Sequence, residues 1–134
     1  MSSDPESAGE RPFYDVELRQ QGVIIRRTTR RYLVLSEIAP SFAALDVHFA
    51  KLAPGAQTLL VDLRAIVGRN DEGFEAALAP LLRELLSKFA RAGLIVRTTI
   101  GRLQLERYFA SDGIAARVFS DENEAMAWFL GFPG

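Results

Sequence analysis

Three short stretches of this 134-residue chain gather the side chains that chemistry needs. Arg69-Asn70-Asp71-Glu72-Gly73 sits between the apolar run Thr58-Leu59-Leu60-Val61-Asp62-Leu63 and a Leu-rich segment. Its guanidinium, amide and two carboxylates could recognise a protein partner or a ligand. Asn70 or Asp71 could equally cap the helix that follows, with the acidic residues complementing the dipole of its first turn. The two roles are compatible, because a cap occupies only some of the polar atoms. In the second stretch, Thr98-Thr99-Ile100-Gly101-Arg102, free N–H groups at a helix start, a small residue and an arginine can hold an anion. Threonine capping explains the same residues, and T-T-x-G-R is no phosphate-loop fingerprint. If both stretches lie on one edge of a sheet, Arg69 and Arg102 flank a small cleft. The third stretch, Arg26-Arg27-Thr28-Thr29-Arg30-Arg31, places four arginines in six residues. They could contact phosphates, but Tyr32 is the only aromatic beside them, and a solvated strand end is the expected reading.

Catalysis has less to work with. His48 is the only histidine and there is no cysteine, so a thiolate nucleophile, a His-based triad and a metal site are not expected. His48 falls within a helical pattern between Val47 and Phe49, where it reads as a partly exposed helix residue. Asp62 is the most interesting carboxylate. Inside an apolar strand, burial would raise its pKa and suit it to acid or base work, with Glu72 as a candidate companion. The competing reading is an ion pair with Arg64 or Arg97. No spacing identifies a catalytic pair, and the expectation is a protein that is not an enzyme and carries no cofactor.

The totals agree with a folded domain. Apolar residues make up 49% of the chain and charged residues 25%, far from the composition of disordered chains. Sixteen basic against seventeen acidic side chains leave no global field to attract nucleic acid or an acidic membrane. No stretch approaches the roughly 18 apolar residues of a membrane span, and the polar first dozen residues lack an apolar leader core. A cytoplasmic domain over residues 13–131, with tails at 1–12 and 132–134, is expected.

The elements that would position these residues follow from periodicity. Imperfect alternation over residues 13–20, a turn at Gln21-Gly22 and Val23-Ile24-Ile25 predict an opening hairpin. Phe42, Leu45, Phe49 and Leu52 mark one face of a helix beginning near Ser36 or Pro40 and ended by Pro54-Gly55. Residues 58–63 and 93–99 read as strands buried on both faces. Between them, residues 71–89 form a helix with Phe74, Leu78, Leu81, Leu85 and Phe89 on one stripe, and Pro80 is expected to kink it. Leu82 and Leu86 widen its apolar arc enough to suggest self-association as well as core packing. A shorter helix over 101–110, a strand over 116–120 and a helix capped by Asp121, with Glu124 at capping-box spacing, complete the chain. The order is β-β-α-β-α-β-α-β-α, an α/β fold with a mixed, mostly parallel sheet and helices packed on it.

This order resembles the STAS domain, the fold of bacterial anti-anti-sigma factors. It looks more closely like the SpoIIAA-like, or STAS/SEC14-like, family of small bacterial stand-alone domains. The residues that carry the resemblance are L-L-V-D-L-R followed by G-R-N-D-E-G-F, the strand L-I-V-R-T-T opening into a helix, and R-V-F-S-D-E-N-E-A-M-A-W-F near the end. In anti-anti-sigma proteins the loop after the third strand reads Asp-Ser-Ser-Gly or a close variant, and phosphorylation of the serine before the glycine switches partner binding off. Aligned on the glycine, that motif falls on Asn70, Asp71, Glu72 and Gly73, so Glu72 stands where the switch serine would be. The resemblance implies a regulatory protein-interaction domain using Arg69, Asn70, Asp71, Glu72 and Gly73, whose loop cannot be switched by that phosphorylation. The alternative is a small-molecule or lipid-binding module, with Thr98, Thr99, Gly101 and Arg102 lining a cleft at the carboxyl edge of the sheet. A protein partner and a homodimer through Leu82 and Leu86 are the associations expected; nucleic acid is not.

Overall fold

The computed structural model describes residues 12–52, 57–65 and 72–131, the last with its side chains from residue 77 onward. Five strands form one sheet in the order β1-β2-β3-β4-β5: β1 Tyr14–Leu18, β2 Gly22–Arg27, β3 Thr58–Asp62, β4 Arg91–Ile95 and β5 Arg117–Phe119. β1 runs antiparallel to β2, and every other pair is parallel. The helices are α1 Ile38–Ala43 and α2 Asp46–Phe49, preceded by a 3-10 turn at Leu35–Glu37, then α3 Glu72–Ser87, α4 Thr99–Asp112 and α5 Glu122–Leu130.

Alternation along the strands divides the core in two. Val23 and Ile25, Leu59 and Val61, Leu94 and Val118 face one side, where Leu45, Leu85, Leu86 and Phe109 cover them. Ile24, Leu60, Ile95 and Phe119 face the other side, where Ala125 and Phe129 of α5 cover them. The reason is topological. Neighbouring parallel strands taken in chain order with right-handed crossovers place the connecting helices on one face. α5 has no strand to return to, so it folds back over the other. Phe129 is fully buried there, which contributes roughly 1.5–3 kcal/mol. Gly93 makes room for α5: a Cβ on it would lie 2.8 Å from the Trp128 ring. Arg91 stacks on that ring at 4.5 Å and donates to the Trp128 carbonyl at 2.9 Å, closing the last turn of α5.

The hairpin turns through Gln20 and Gln21, with Arg19 and Gly22 exchanging both backbone hydrogen bonds. The single helix expected after β2 is instead a 3-10 turn and two short helices, because Leu45 N–H bonds the carbonyl of Phe42, three residues back, and tightens the chain there. Its expected end at Pro54-Gly55 lies outside the described residues. β4 begins at Arg91, paired with Thr58, and stops at Ile95 although Val96 to Thr99 is equally β-prone. The cause is its neighbours: β3 ends at Asp62 and β5 at Phe119, and after one further bond on each side, Leu63 N–H to Ile95 and Val96 N–H to Phe119, no described residue continues the ladder. Leu82 packs against the core beside α3's neighbours and Leu86 is 4% exposed. Both side chains contribute to the core of the chain.

Candidate functional site at the carboxyl edge

β2, β3, β4 and β5 are parallel, so their carboxyl ends share one edge, and the segments leaving them carry most of the residues singled out above. Asp62 closes β3 and is buried. Arg64, two residues on, returns to the same face and grips it: Nε lies 2.9 Å from Oδ1, Nη2 lies 2.7 Å from Oδ2, and the Arg64 backbone N–H donates to Oδ1 at 3.0 Å. Arg64 Nη2 also reaches Glu122 of α5 at 3.0 Å. On the other side Arg26, register partner of Asp62 on β2, brings Nε to 4.0 Å and donates through Nη1 to Glu17 at 2.8 Å. Glu17 pairs further with Arg19. Six charges of alternating sign therefore run from β1 to α5 across the half of this face that α5 leaves open.

The chemistry of Asp62 follows from its partners. Burial pushes its carboxyl up, but the Arg64 side chain, the Arg64 N–H and the charge of Arg26 outweigh it and hold the carboxyl below its ordinary value. An ionised carboxylate with its oxygens engaged by a guanidinium fork is poorly suited to act as an acid or base. The expectation of a raised pKa is therefore corrected, and the ion-pair reading holds with Arg64 as the partner. Arg97, the other arginine considered, donates from Nη2 to the Arg64 carbonyl at 2.9 Å. The outgoing chain is thus fixed at Arg64 by both its backbone and its side chain.

Thr98 is the N-cap of α4, accepting from the Gly101 N–H at 2.9 Å. Thr98→Ala should lower stability by about 1 kcal/mol, read by thermal denaturation; an unchanged midpoint would contradict the cap. Thr99 is exposed, and Arg102 pairs with Glu106 one turn along at 3.3 Å. Capping accounts for Thr98 and Gly101. Arg69, Asn70 and Asp71 lie outside the described residues, as does any cleft between Arg69 and Arg102. Glu72 and Gly73 are the first two residues of α3.

The arginine-rich segment is not simply a solvated strand end. Arg27 is buried, with its guanidinium 4.8 Å from the Tyr32 ring centre and 5.4 Å and 5.6 Å from those of Phe13 and Tyr14. It donates to the carbonyls of Phe13 and Thr28. Phe13 and Tyr32 stack at 4.4 Å, and Arg30 lies 3.9 Å over Phe13. This cluster fastens the start of β1 to the loop that leaves β2. Burial pushes the neighbouring Tyr14 phenol well above its ordinary range. Arg31 alone of the four matches the solvated reading.

The sequence reading missed the apolar surface of this edge. Leu33 and Ile100 are 75% and 70% exposed, and Val34, Leu35 and Leu103 are each about half exposed. The first three follow β2 and the other two open α4 after β4, so they lie on the segments that leave the two strands beside β3. The signal was present as Leu33-Val34-Leu35, three consecutive aliphatic residues outside any strand or helix periodicity. Among the described residues no group of three or more His, Asp or Glu side chains is arranged to hold a metal ion. No helix among them is long and apolar enough to cross a membrane.

Comparison with solved structures adds the fold. The chain superposes on a crystal structure of an uncharacterised protein from Shewanella loihica PV-4, of the DUF3478 family, described as having a SpoIIAA-like fold; 87% of this chain and 91% of that one align, with a TM-score of 0.59 and 13% identity. The fold is SpoIIAA-like. No family model matches the chain, and neither does any curated protein. At 13% identity the likeness concerns the SpoIIAA-like architecture alone. That architecture is the one the element order predicts, with one antiparallel strand opening a parallel sheet.

Proposed function

We propose that this chain is a non-enzymatic, regulatory protein-interaction domain whose partner docks on the carboxyl edge of the sheet. The observation that carries the reading is the pair of exposed aliphatic groups, Leu33, Val34 and Leu35 on one flank and Ile100 and Leu103 on the other. A single exposed aliphatic residue needs no explanation, but several gathered at one edge are what a partner surface offers. The polar groups between them are occupied within the chain: Asp62 by Arg64, Thr98 by its own cap. Such an edge is better matched to surface complementarity than to turnover. A small-molecule cleft at this edge, the alternative reading, draws no comparable support from these positions.

The domain is not controlled by phosphorylation of the loop. Glu72 occupies the position at which the resemblance places a switch serine, and no Ser, Thr or Tyr occurs between Thr58 and Ser87. A carboxylate carries one charge and two acceptor oxygens, less than a phosphate's roughly two charges and three oxygens. The loop therefore keeps a constant, intermediate charge. Affinity capture from the native cell tests the proposal, comparing wild type with Leu35→Glu, Ile100→Glu and Glu72→Ser at equal expression and equal melting temperature. The first two variants should lose a defined protein that wild type retains. Identical captured sets for wild type and all three variants would remove the edge from consideration.

A further inference from the structure

The break between α1 and α2 has a second consequence, on the helical face away from the carboxyl edge. Where α1 and α2 turn past α3 they leave a groove of about 170 Å³. Its apolar lining comes from Phe42 and Phe49 on one wall and Leu81 and Leu85 on the other, and Ala43 keeps that wall low. Three charged side chains stand at its rim. Lys88 pairs with Asp46 at 3.1 Å and lies 5.8 Å from the Phe49 ring centre. Glu84, the third, has no partner for its carboxylate among the described residues, and it is exposed.

We propose that this groove binds a small organic ammonium ion with a short apolar body, such as an arylalkylamine. An enclosed void of about 150 Å³ lined by Leu, Ile and Phe takes up a benzene ring; this groove has a similar volume but opens to solvent, so it suits one ring or a short chain whose polar end stays in water. The charge at the mouth selects the head group. Lys88 and Asp46 neutralise each other, which leaves the single negative charge of Glu84. An ammonium ion can meet Glu84 while its body covers Phe42, Phe49 and Leu85. A carboxylate ligand of the same shape would face Glu84 and would have to take Lys88 from Asp46. The site is separate from the proposed partner surface, so either can fail without the other.

Amide chemical-shift titration at fixed ionic strength tests this, using phenethylammonium chloride and sodium 3-phenylpropionate as probes of matched shape and opposite charge. The amine should give saturating shifts confined to residues 39–49 and 81–88, with a Kd of about 1 mM, as suits a ligand of some nine heavy atoms. The carboxylate should bind about threefold more weakly, a typical size for one exposed charge pair. Glu84→Gln, an exposed change that leaves the fold intact, should bring the two probes within about twofold of each other. Ala43→Leu should fill the groove and abolish both. Absence of saturating shifts, equal affinities for the two probes on wild type, or a charge preference that survives Glu84→Gln would each overturn the proposal.

Discussion

Gly22→Ala will lower the thermal midpoint by roughly 10 °C, the equivalent of about 3 kcal/mol for a domain of this size. Gly22 opens β2 opposite Thr58, the first residue of β3, and both N–H groups of Gln57 and Thr58 donate to the Gln21 carbonyl just before it. A Cβ on Gly22 would stand 1.7 Å from the Thr58 carbonyl oxygen and 2.6 Å from its carbon. These are backbone atoms of the central strand, so no side-chain rotation relieves the overlap. The β2–β3 pair must separate at its amino end, and the hairpin register with it. Circular dichroism melting of purified protein checks this, and a midpoint within about 2 °C of wild type would show that the approach is looser than the structure has it.

Asp62→Ala will cost about 3 kcal/mol, at the low end for breaking a buried ion pair because Arg64 is one-third exposed and regains some water. The substitution leaves Arg64 and Arg26 facing one another across β2 and β3 without the carboxylate between them. It also removes the acceptor of the Arg64 backbone N–H, which starts the chain toward α3. The pH dependence has a definite sign. The folded-state pKa of Asp62 is depressed, so its contribution is fully present above the unfolded value of about 3.9 and fades as the pH falls through the lower folded value. Urea denaturation between pH 7 and pH 3 should show wild type losing its advantage over Asp62→Ala at the acid end. A difference that stays constant over that range would mean the carboxylate contributes through packing or neutral hydrogen bonds.

Much of the fold can be read from the sequence because its strongest signals are local. The five residues of β3 are all buried, as the nearly all-apolar run Thr58 to Leu63 implies. Asp121 accepts from the N–H groups of Asn123 and Glu124 at 2.7 and 3.1 Å, as an N-cap before Glu124 requires. The misreadings share a cause, which is distance along the chain. β4 ends at Ile95 because its neighbours end, and no residue near Val96 announces that. Arg27 is buried because Phe13 and Tyr14 at the start of β1 and Tyr32 in the loop after β2 close over it, whereas Arg26 and Thr28 beside it are polar. The spacing of Phe42, Leu45 and Phe49 correctly assigns a face, since Leu45 is buried with the other two packed beside it. It does not distinguish one helix from two, because the 3-10 step at Leu45 keeps the same side chains inward. The candidate site divides in the same way. Its caps and the Asp62 pair are visible as residue types at short spacing, while the apolar flanks belong together only once β2 and β4 are set on either side of β3.

The central claim, that the carboxyl edge is a partner surface, is tested most directly by placing a photoactivatable cross-linker at single positions in the native cell. Leu33 and Ile100 probe the two flanks, and Val47, comparably exposed at 63% but on α2, serves as the control. The account predicts one cross-linked protein shared by the probes at 33 and 100 and missing from the probe at 47. No adduct at 33 and 100, or the same adduct at all three positions, would contradict it.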